Sequence, residues 1–226
     1  MNRNIAIDGP AGAGKSTIAK KLAAERGCIY VDTGAMYRAM ALYIVREGVD
    51  ENDTAGIEAC ADRADISIAF IDGVQKVLLN GEDVSGLIRT PEVSHMASVS
   101  SANGHLRKKL VALQQKLASE KEVVMDGRDI GTVVLPDAAV KIFLTASPRT
   151  RAERRYLEMA EKGQADGSSV EEIEASIRDR DERDATRSES PLKQAEDAVL
   201  VDSSDMTIDQ VVQRILEIAE NAGHNS

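Results

Sequence analysis

The chain has 226 residues, of which 42% are hydrophobic, and a formal net charge of −10. This length suits one domain, and the hydrophobic fraction is too high for a disordered chain. The acidic balance argues against a protein that coats nucleic acid, because phosphate backbones require a basic protein surface. The sequence has no signal-peptide pattern and no apolar stretch of about 20 residues, so we expect a cytosolic protein without a membrane span.

Short apolar runs alternate with helical patterns in the first part of the chain. We predict strands at 4–8 and 28–32, and helices over 15–26, 34–47 and 54–64. A glycine-rich turn joins the first strand to the first helix. Alternation of this kind predicts a parallel sheet with helices on both faces.

Hairpin signals interrupt the alternation between residues 66 and 87. Apolar residues alternate with smaller or polar ones from Ile66 to Phe70. Asp72-Gly73 and Asn80-Gly81 then favour the left-handed dihedral angles of tight turns. The pattern predicts a small antiparallel sheet inserted in the α/β chain, with a single irregular loop as the alternative.

The alternation resumes after these hairpins. Leucines at helical spacing from Leu106 to Leu117 mark one face of a helix. Thr207 and Gln210 form the pattern of a capping box at the start of a last helix. The other predicted elements are strands at 123–126, 140–144 and 198–202, and helices on both sides of 163–169.

Residues 9–17 match G-x-x-x-x-G-K-[ST], a phosphate-binding loop (P-loop). They are Gly9, Pro10, Ala11, Gly12, Ala13, Gly14, Lys15, Ser16 and Thr17. Glycines let the backbone turn its N–H groups toward phosphate, and the following helix adds the positive end of its dipole. This chemistry predicts that Lys15 reaches the β- and γ-phosphates of ATP and that Ser16 ligates Mg²⁺.

A second feature distinguishes among the classes of P-loop protein. The chain lacks the N/T-K-x-D element of guanine-specific GTPases and the LSGGQ motif, and its D-x-x-G match at Asp83–Gly86 lies in the predicted hairpins. The segment 149–187 instead carries eight arginines and one lysine. Guanidinium groups grip phosphate oxygens two at a time, so this segment predicts a helical lid that covers ATP and excludes water.

Four segments give the chain a close resemblance, nearly end to end, to the bacterial cytidylate (CMP/dCMP) kinases. They are Ile7–Thr17, Asp32–Arg38, Asp126–Thr132, and Arg180–Asp184 with Arg187. The P-loop alone is shared by many families, whereas the last two patterns are far more specific. The resemblance implies an α/β P-loop NTPase fold, which is a three-layer sandwich with a parallel central sheet, a small antiparallel β insert and a helical lid.

The resemblance also implies the domain organisation and the reaction. One domain would consist of a core of about 1–47, 104–148 and 190–226, a monophosphate-binding insert of about 48–103, and a lid of about 149–189. The implied reaction is transfer of the γ-phosphate of ATP to CMP or dCMP, with Mg²⁺, in pyrimidine metabolism. The expected partners are these small molecules, and the absence of coiled-coil heptads favours a monomer.

The resemblance assigns two groups of residues to the acceptor nucleotide. Thr33 and Arg38 line the monophosphate pocket; the family more often has serine at the first position, and threonine keeps the hydroxyl. Ser98, Arg107 and Asp129 read the cytosine ring. A carboxylate accepts from the amine of cytosine, and arginine donates to its N3/O2 edge. Uracil reverses this polarity, and each unmatched polar group costs about 1–3 kcal/mol.

The resemblance further implies a catalytic set and a metal site. Lys15, Arg128 and Arg187 neutralise charge on the phosphates, and Arg128 and Arg187 bind the acceptor phosphate. Asp126 holds Mg²⁺ through water, together with Ser16. The alternative for Asp126 is an ordinary turn residue at the end of a strand.

The lid residues have a functional and a structural interpretation. Arg180, Asp184 and Arg187 share one helix face by their spacing. The resemblance places Arg180 and Asp184 at the sugar, and Arg151 and Arg155 four residues apart as a clamp on ATP. The alternative is a ladder of surface ion pairs, worth about 0.3–0.5 kcal/mol each.

Two other functions are compatible with the residues alone. A P-loop kinase for another small acceptor would show no preference for pyrimidine monophosphates. A nucleotide-switch binding protein would retain nucleotide tightly and show no turnover stimulated by an acceptor. The arginine-rich lid and the missing guanine-specificity element count against the switch.

Overall fold

The computed structural model describes residues 3–71, 74–161, 163 and 167–224. Its contacts divide the chain into two compact units. The first unit takes in the chain up to Cys28 and again from Val123, and the second unit is Ile29–Glu122. Among the described residues, no helix is long and apolar enough to cross a bilayer.

Helices and strands alternate along most of the chain. The α-helices are α1 Lys15–Arg26, α2 Thr33–Arg46, α3 Thr54–Arg63, α4 Pro91–Ser100, α5 Gly104–Glu120, α6 Pro148–Glu161, α7 Val170–Thr186 and α8 Ile208–His224. The strands are β1 Ile5–Asp8, β2 Ile29–Asp32, β3 Ile66–Ile71, β4 Val74–Leu79, β5 Glu82–Asp83, β6 Val123–Gly127, β7 Val140–Thr145 and β8 Val199–Asp202. A π-helix spans Ile130–Val134.

The strands form the two sheets that the sequence predicts. The parallel sheet has five strands in the order β2-β6-β1-β7-β8, and the antiparallel sheet has the order β3-β4-β5. With helices α1 and α8 packed on the parallel sheet, this arrangement confirms the predicted α/β class with a small antiparallel insert. The hydrogen bonds between Thr207 and Gln210 also confirm the capping box that starts α8.

β1 occupies the middle of the parallel sheet. Ile5, Ala6 and Ile7 show no polar alternation because β6 and β7 flank the strand and both of its faces are buried. Asp8 is in register with Gly127 of β6. The carboxyl ends of β1 and β6 therefore lie side by side, at the edge of the sheet where α/β proteins bind ligands.

The second unit contains the predicted hairpins. β3 pairs with β4 along its whole length, and Asn80 and Gly81 have the positive φ angles of a tight turn, 51° and 85°. The predicted turn at Asp72-Gly73 lies outside the described residues. α4 was not predicted, although Thr90 caps it and Pro91 occupies its first turn, where a missing N–H is tolerated.

Candidate active site

The loop between β1 and α1 holds the predicted phosphate-binding residues in a tight turn. Gly9 has a φ angle of 146°, and a Cβ atom there would overlap the carbonyl oxygen of Leu144 on β7. Gly14 has a φ angle of 86° and precedes the first residue of α1. Packing requires glycine at the first position, the positive φ angle favours glycine at the second, and the positive end of the α1 dipole lies at the loop.

The side chain of Lys15 folds back onto this loop. Its Nζ atom donates a hydrogen bond of 2.7 Å to the main-chain oxygen of Pro10, and the residue is buried. Burial, followed by the nearby guanidinium of Arg128, lowers the pKa of Lys15 to about 7, although the carboxylates of Asp126 and Asp8 raise it. The ammonium therefore lies in a position where an added anion would stabilise its charged form.

Ser16 and Asp126 lie together at the carboxyl end of the sheet. The Ser16 hydroxyl donates to Oδ2 of Asp126 over 3.0 Å, and Asp126 is buried near the end of β6. Hydroxyl and carboxylate oxygens are the hard ligands that Mg²⁺ prefers, with water and substrate phosphates completing its shell. The pair fits Mg²⁺ in a nucleotide complex, and the described residues contain no separate cluster of three acidic, His or Cys ligands.

Asp8 is a buried carboxylate at the end of β1, and no sequence pattern predicted a role for it. Its Oδ1 accepts from the N–H of Ile130 over 2.8 Å, and its Oδ2 accepts from the N–H of Gly131 over 2.7 Å. These two amides begin the π-helix that follows Asp129. Burial raises the pKa of Asp8 to about 6, although both amides and Lys15 oppose the rise.

Asp184 on α7 gathers the predicted phosphate and sugar residues of the first unit. Nε of Arg128 donates to its Oδ2 over 2.8 Å. Burial raises the pKa of Asp184, but the charges of Arg128, Arg180 and Arg187 outweigh burial and hold that pKa below its usual range. Arg187 is the first residue beyond α7, and its Nε donates to Ser190 O over 2.7 Å. The structure thus brings these four residues together.

The two predicted lid arginines differ in their surroundings. Arg151 is buried, and its guanidinium donates to Ala146 O, to Ala11 O in the P-loop and to both carboxylate oxygens of Asp181. Arg155 is exposed and pairs with Glu158 one helical turn away. Arg151 therefore joins α6 and α7 to the P-loop, whereas Arg155 faces solvent.

The second unit contains a pair of arginines around Asp32. Asp32 caps α2 by accepting from the N–H of Ala35 over 2.8 Å. Nη2 of Arg38 and Nη2 of Arg89 approach its Oδ2 at 3.1 and 3.2 Å. A Cβ atom at Gly34 would lie 3.1 Å from Nη1 of Arg38, so glycine leaves room for the guanidinium. Two arginines on one carboxylate form a site that phosphate oxygens can also occupy.

The predicted base-reading residues of the second unit lie on α4 and α5. Arg107 is buried, its Nη1 donates to Ser101 O over 3.0 Å, and its guanidinium carbon lies 5.3 Å from the centre of the Tyr37 ring. Such stacking holds a guanidinium plane in one orientation. Ser98 is half-buried on α4, and Thr33 is buried in the first turn of α2.

Arg89 is the residue of this second-unit site that sequence reasoning missed. It precedes Thr90 and Pro91, which signal the start of a helix but say nothing about the arginine. Its partner Asp32 is far away in the sequence, so no local spacing reveals the pair. Asp8 and Asp181 were missed for the same reason, since their partners lie on other elements.

Comparisons with known proteins show which family the chain belongs to. The family model described as cytidylate kinase matches residues 5–221. A cytidylate kinase from Caldicellulosiruptor saccharolyticus is 51% identical over 95% of this chain and 94% of its own length. One from Lactobacillus gasseri is 49% identical over 98% of this chain and 95% of its own length.

A solved structure supports the fold alone. Shikimate kinase from Bacteroides thetaiotaomicron is 15% identical, with a TM-score of 0.50 over 96% of this chain and 98% of that chain. This likeness agrees with a P-loop kinase architecture. Because the family model covers nearly the whole chain and the relatives are about half identical over most of their length, the chain belongs to the cytidylate kinase family.

Proposed function

We propose that this chain transfers the γ-phosphoryl group of ATP to CMP or dCMP, giving CDP or dCDP. One observation carries the proposal beyond the family assignment. The buried ammonium of Lys15 interacts with the positive charges of Arg128 and Arg180, and also with the carboxylates of Asp126 and Asp8. Such a cluster of cations is arranged for a ligand with several negative charges, such as two nucleotides that meet at their phosphates.

The donor nucleotide binds in the first unit. The amides of Gly9–Thr17 surround the β- and γ-phosphates, and Lys15 moves from Pro10 O to these oxygens. Ser16 and Asp126 hold Mg²⁺, which neutralises phosphate charge. Among the lid arginines, Arg155 contacts ATP from solvent, while Arg151 acts through the main chain of the P-loop.

Four residues are assigned to the acceptor phosphate. Arg38 and Thr33 bind it in the second unit, supported by the position of Arg89 on the same carboxylate. Arg128 and Arg187 bind it in the first unit. Phosphoryl transfer depends on positioning and charge neutralisation, so these cations replace a general base as the main contribution of the protein.

The acceptor base and sugar are read by polar side chains. Arg107 and Ser98 contact the cytosine ring in the second unit, and Asp129 accepts from its amine. Arg180 and Asp184 contact the sugar. Support comes from the buried state of Arg107 and Asp129, because a buried polar group discriminates strongly against a partner of the wrong polarity. The proposed domain organisation is a core of about 1–47, 104–148 and 190–226, an insert of about 48–103 and a lid of about 149–189.

A coupled assay of ADP release tests this function. Wild-type protein with ATP and Mg²⁺ is compared across CMP, dCMP, UMP, AMP and GMP. We expect CMP and dCMP to give the highest kcat/KM, and UMP to be lower by about tenfold or more for its reversed polarity. Equal or faster turnover of AMP or GMP would refute the cytosine assignment, and tight nucleotide retention without acceptor-stimulated turnover would indicate a switch protein.

A further inference from the structure

Asp8 contacts both ends of a two-residue segment that carries Arg128 and Asp129. Upstream of the segment, Gly127 is paired in register with Asp8 through the β1–β6 ladder. Downstream, the amides of Ile130 and Gly131 donate to the Asp8 carboxylate. One residue of β1 therefore fixes the chain on both sides of Arg128 and Asp129, by its main chain and by its side chain.

The carboxylate suits this task better than a neutral side chain would. Its two oxygens each accept one main-chain N–H, at 2.8 and 2.7 Å, and charge-assisted bonds of this kind are stronger than neutral ones. The amides of a first helical turn have no partner within their own helix. A negative charge at this end also interacts favourably with the positive end of the helix dipole. Asp8 is almost fully buried, so water cannot replace it cheaply.

The packing around Gly131 shows how little freedom this arrangement has. A Cβ atom at Gly131 would lie 3.3 Å from Oδ2 of Asp8 and 3.2 Å from Cδ of Lys141 on β7. Gly131 is therefore confined between the carboxylate of Asp8 and the aliphatic part of the Lys141 side chain. Because packed elements of this kind do not deform continuously, a displaced π-helix would carry Asp129 and Arg128 with it.

We infer that Asp8 is a positioning residue that sets Arg128 and Asp129 for recognition of the acceptor nucleotide. This inference rests on the proposed function, in which those two residues bind the acceptor phosphate and the cytosine amine. Both oxygens of the Asp8 carboxylate are engaged by main-chain amides, so Asp8 acts through the segment that it holds. At neutral pH its carboxyl is ionised even with the pKa raised to about 6, so both oxygens accept hydrogen bonds.

Asp8→Asn is the first test. The amide keeps one accepting oxygen but turns an N–H₂ group toward a main-chain donor, so one of the two bonds is lost. We expect KM for CMP to rise about tenfold and the CMP-to-UMP ratio of kcat/KM to fall, since tenfold corresponds to the loss of about one hydrogen bond. The Kd of ATP, measured by calorimetry without acceptor, is expected to stay within about twofold.

Asp197→Asn is the matched control. Asp197 pairs with Lys141, whose stem packs at Gly131, so the variant removes the same charge near the same helix without touching Ile130 or Gly131. Its KM for CMP is expected to equal that of wild type. A purely structural loss in Asp8→Asn would lower the melting temperature of that variant, but would not change KM for one substrate while leaving ATP binding intact.

Gly131→Ala covers the case in which Asp8→Asn does not fold. The added methyl group would lie 3.3 Å from Oδ2 of Asp8 and would displace the carboxylate or the π-helix. We expect the same selective rise in KM for CMP. A folded Asp8→Asn, or failing that Gly131→Ala, with unchanged KM for CMP and unchanged CMP-to-UMP ratio overturns the inference. Wild-type protein separates the two failures: a wild type inactive on CMP refutes the proposed function instead.

Discussion

Arg151 on α6 and Asp181 on α7 form a two-point ion pair, with Nη2–Oδ2 at 2.6 Å and Nη1–Oδ1 at 3.1 Å. The same guanidinium donates to Ala11 O in the P-loop. Arg151 is 3% exposed and Asp181 carries its counter-charge. Helices α6 and α7 are thus joined to the P-loop through the buried side chain of Arg151.

Loss of this counter-charge is expected to be costly. Asp181→Asn leaves a buried guanidinium without its carboxylate, and removal of one partner from a buried pair destabilises by about 3 kcal/mol. Urea unfolding measures the change. Glu158→Gln is the control, because its pair with Arg155 is exposed and should change stability by about 0.5 kcal/mol or less. Equal effects of the two variants would contradict the buried role of Asp181.

Lys15→Ala tests the charge that the P-loop brings to the transferred phosphoryl group. We expect kcat with CMP to fall about 10²–10³-fold, the usual cost of removing a preorganised electrostatic contact. Lys15 donates to Pro10 O within its own loop, so the fold should tolerate its removal. Single-turnover rates and a melting curve check both points. Undiminished phosphorylation of CMP would rule out the proposed role of the loop.

The Mg²⁺ requirement tests the pair of Ser16 and Asp126. Ser16→Ala removes the hydroxyl that lies 3.0 Å from Asp126 Oδ2, and we expect half-maximal velocity to need about 10- to 100-fold more Mg²⁺. A titration of free Mg²⁺ at saturating ATP measures this shift. Ser119→Ala, which removes only an exposed bond to Lys116 O, serves as the control. An unchanged Mg²⁺ midpoint in Ser16→Ala would exclude the hydroxyl as a ligand.

Arg89→Ala tests the acceptor-phosphate site of the second unit. If Arg89 and Arg38 exchange Asp32 for phosphate, loss of one charge-assisted bond should raise KM for CMP about tenfold while KM for ATP stays constant. Steady-state kinetics with each substrate varied in turn gives the comparison. Arg46→Ala, whose partner Glu82 lies on the surface, is the control. Unchanged KM for CMP in Arg89→Ala would leave only a structural role for its pair with Asp32.

Asp184→Asn is expected to show a stability loss that depends on pH. The pKa of Asp184 in the folded protein lies below its usual value of 3.8, so the ionised group stabilises the fold above that pH. This contribution is lost as pH falls through the folded pKa. The gap in urea midpoint between wild type and Asp184→Asn should therefore be constant from pH 7 to about 5 and should shrink below about 4. A constant gap down to pH 3 would contradict the charge-based origin.

Sequence periodicity was enough to predict most of the fold. The central strands are apolar because they are buried on both faces, and the Asn80-Gly81 turn is encoded in two adjacent residues. The P-loop is equally local. α4 shows the limit: its cap at Thr90 was readable, but the helix behind it has mixed composition and weak periodicity. Local patterns therefore predict most helices and strands and the P-loop, but they do not predict every helix.

The rest of the site depends on pairs that no spacing encodes. Arg89 reaches Asp32, Asp8 reaches Ile130, and Arg151 reaches Asp181, and each partner lies on a different element. Such pairs arise only when the chain has folded. The resemblance to a family identified the residues that are proposed to contact nucleotide. The carboxylates that hold several of these residues in place, Asp8, Asp32 and Asp181, were identified only from the structure.

Glycine can be required in a P-loop for two reasons, lack of space and a positive φ angle. At Gly9 space is decisive, because any side chain there would overlap Leu144. Glycine is needed at this position for the strand beneath, before any nucleotide arrives. Gly12 and Gly14 are different, since a methyl group at either would meet only the Arg151 stem or open space and would mainly pay a backbone strain. Substitution at Gly9 is therefore expected to disturb the packing of the loop on β7, whereas substitution at Gly12 or Gly14 is expected to disturb mainly the conformation of the loop itself.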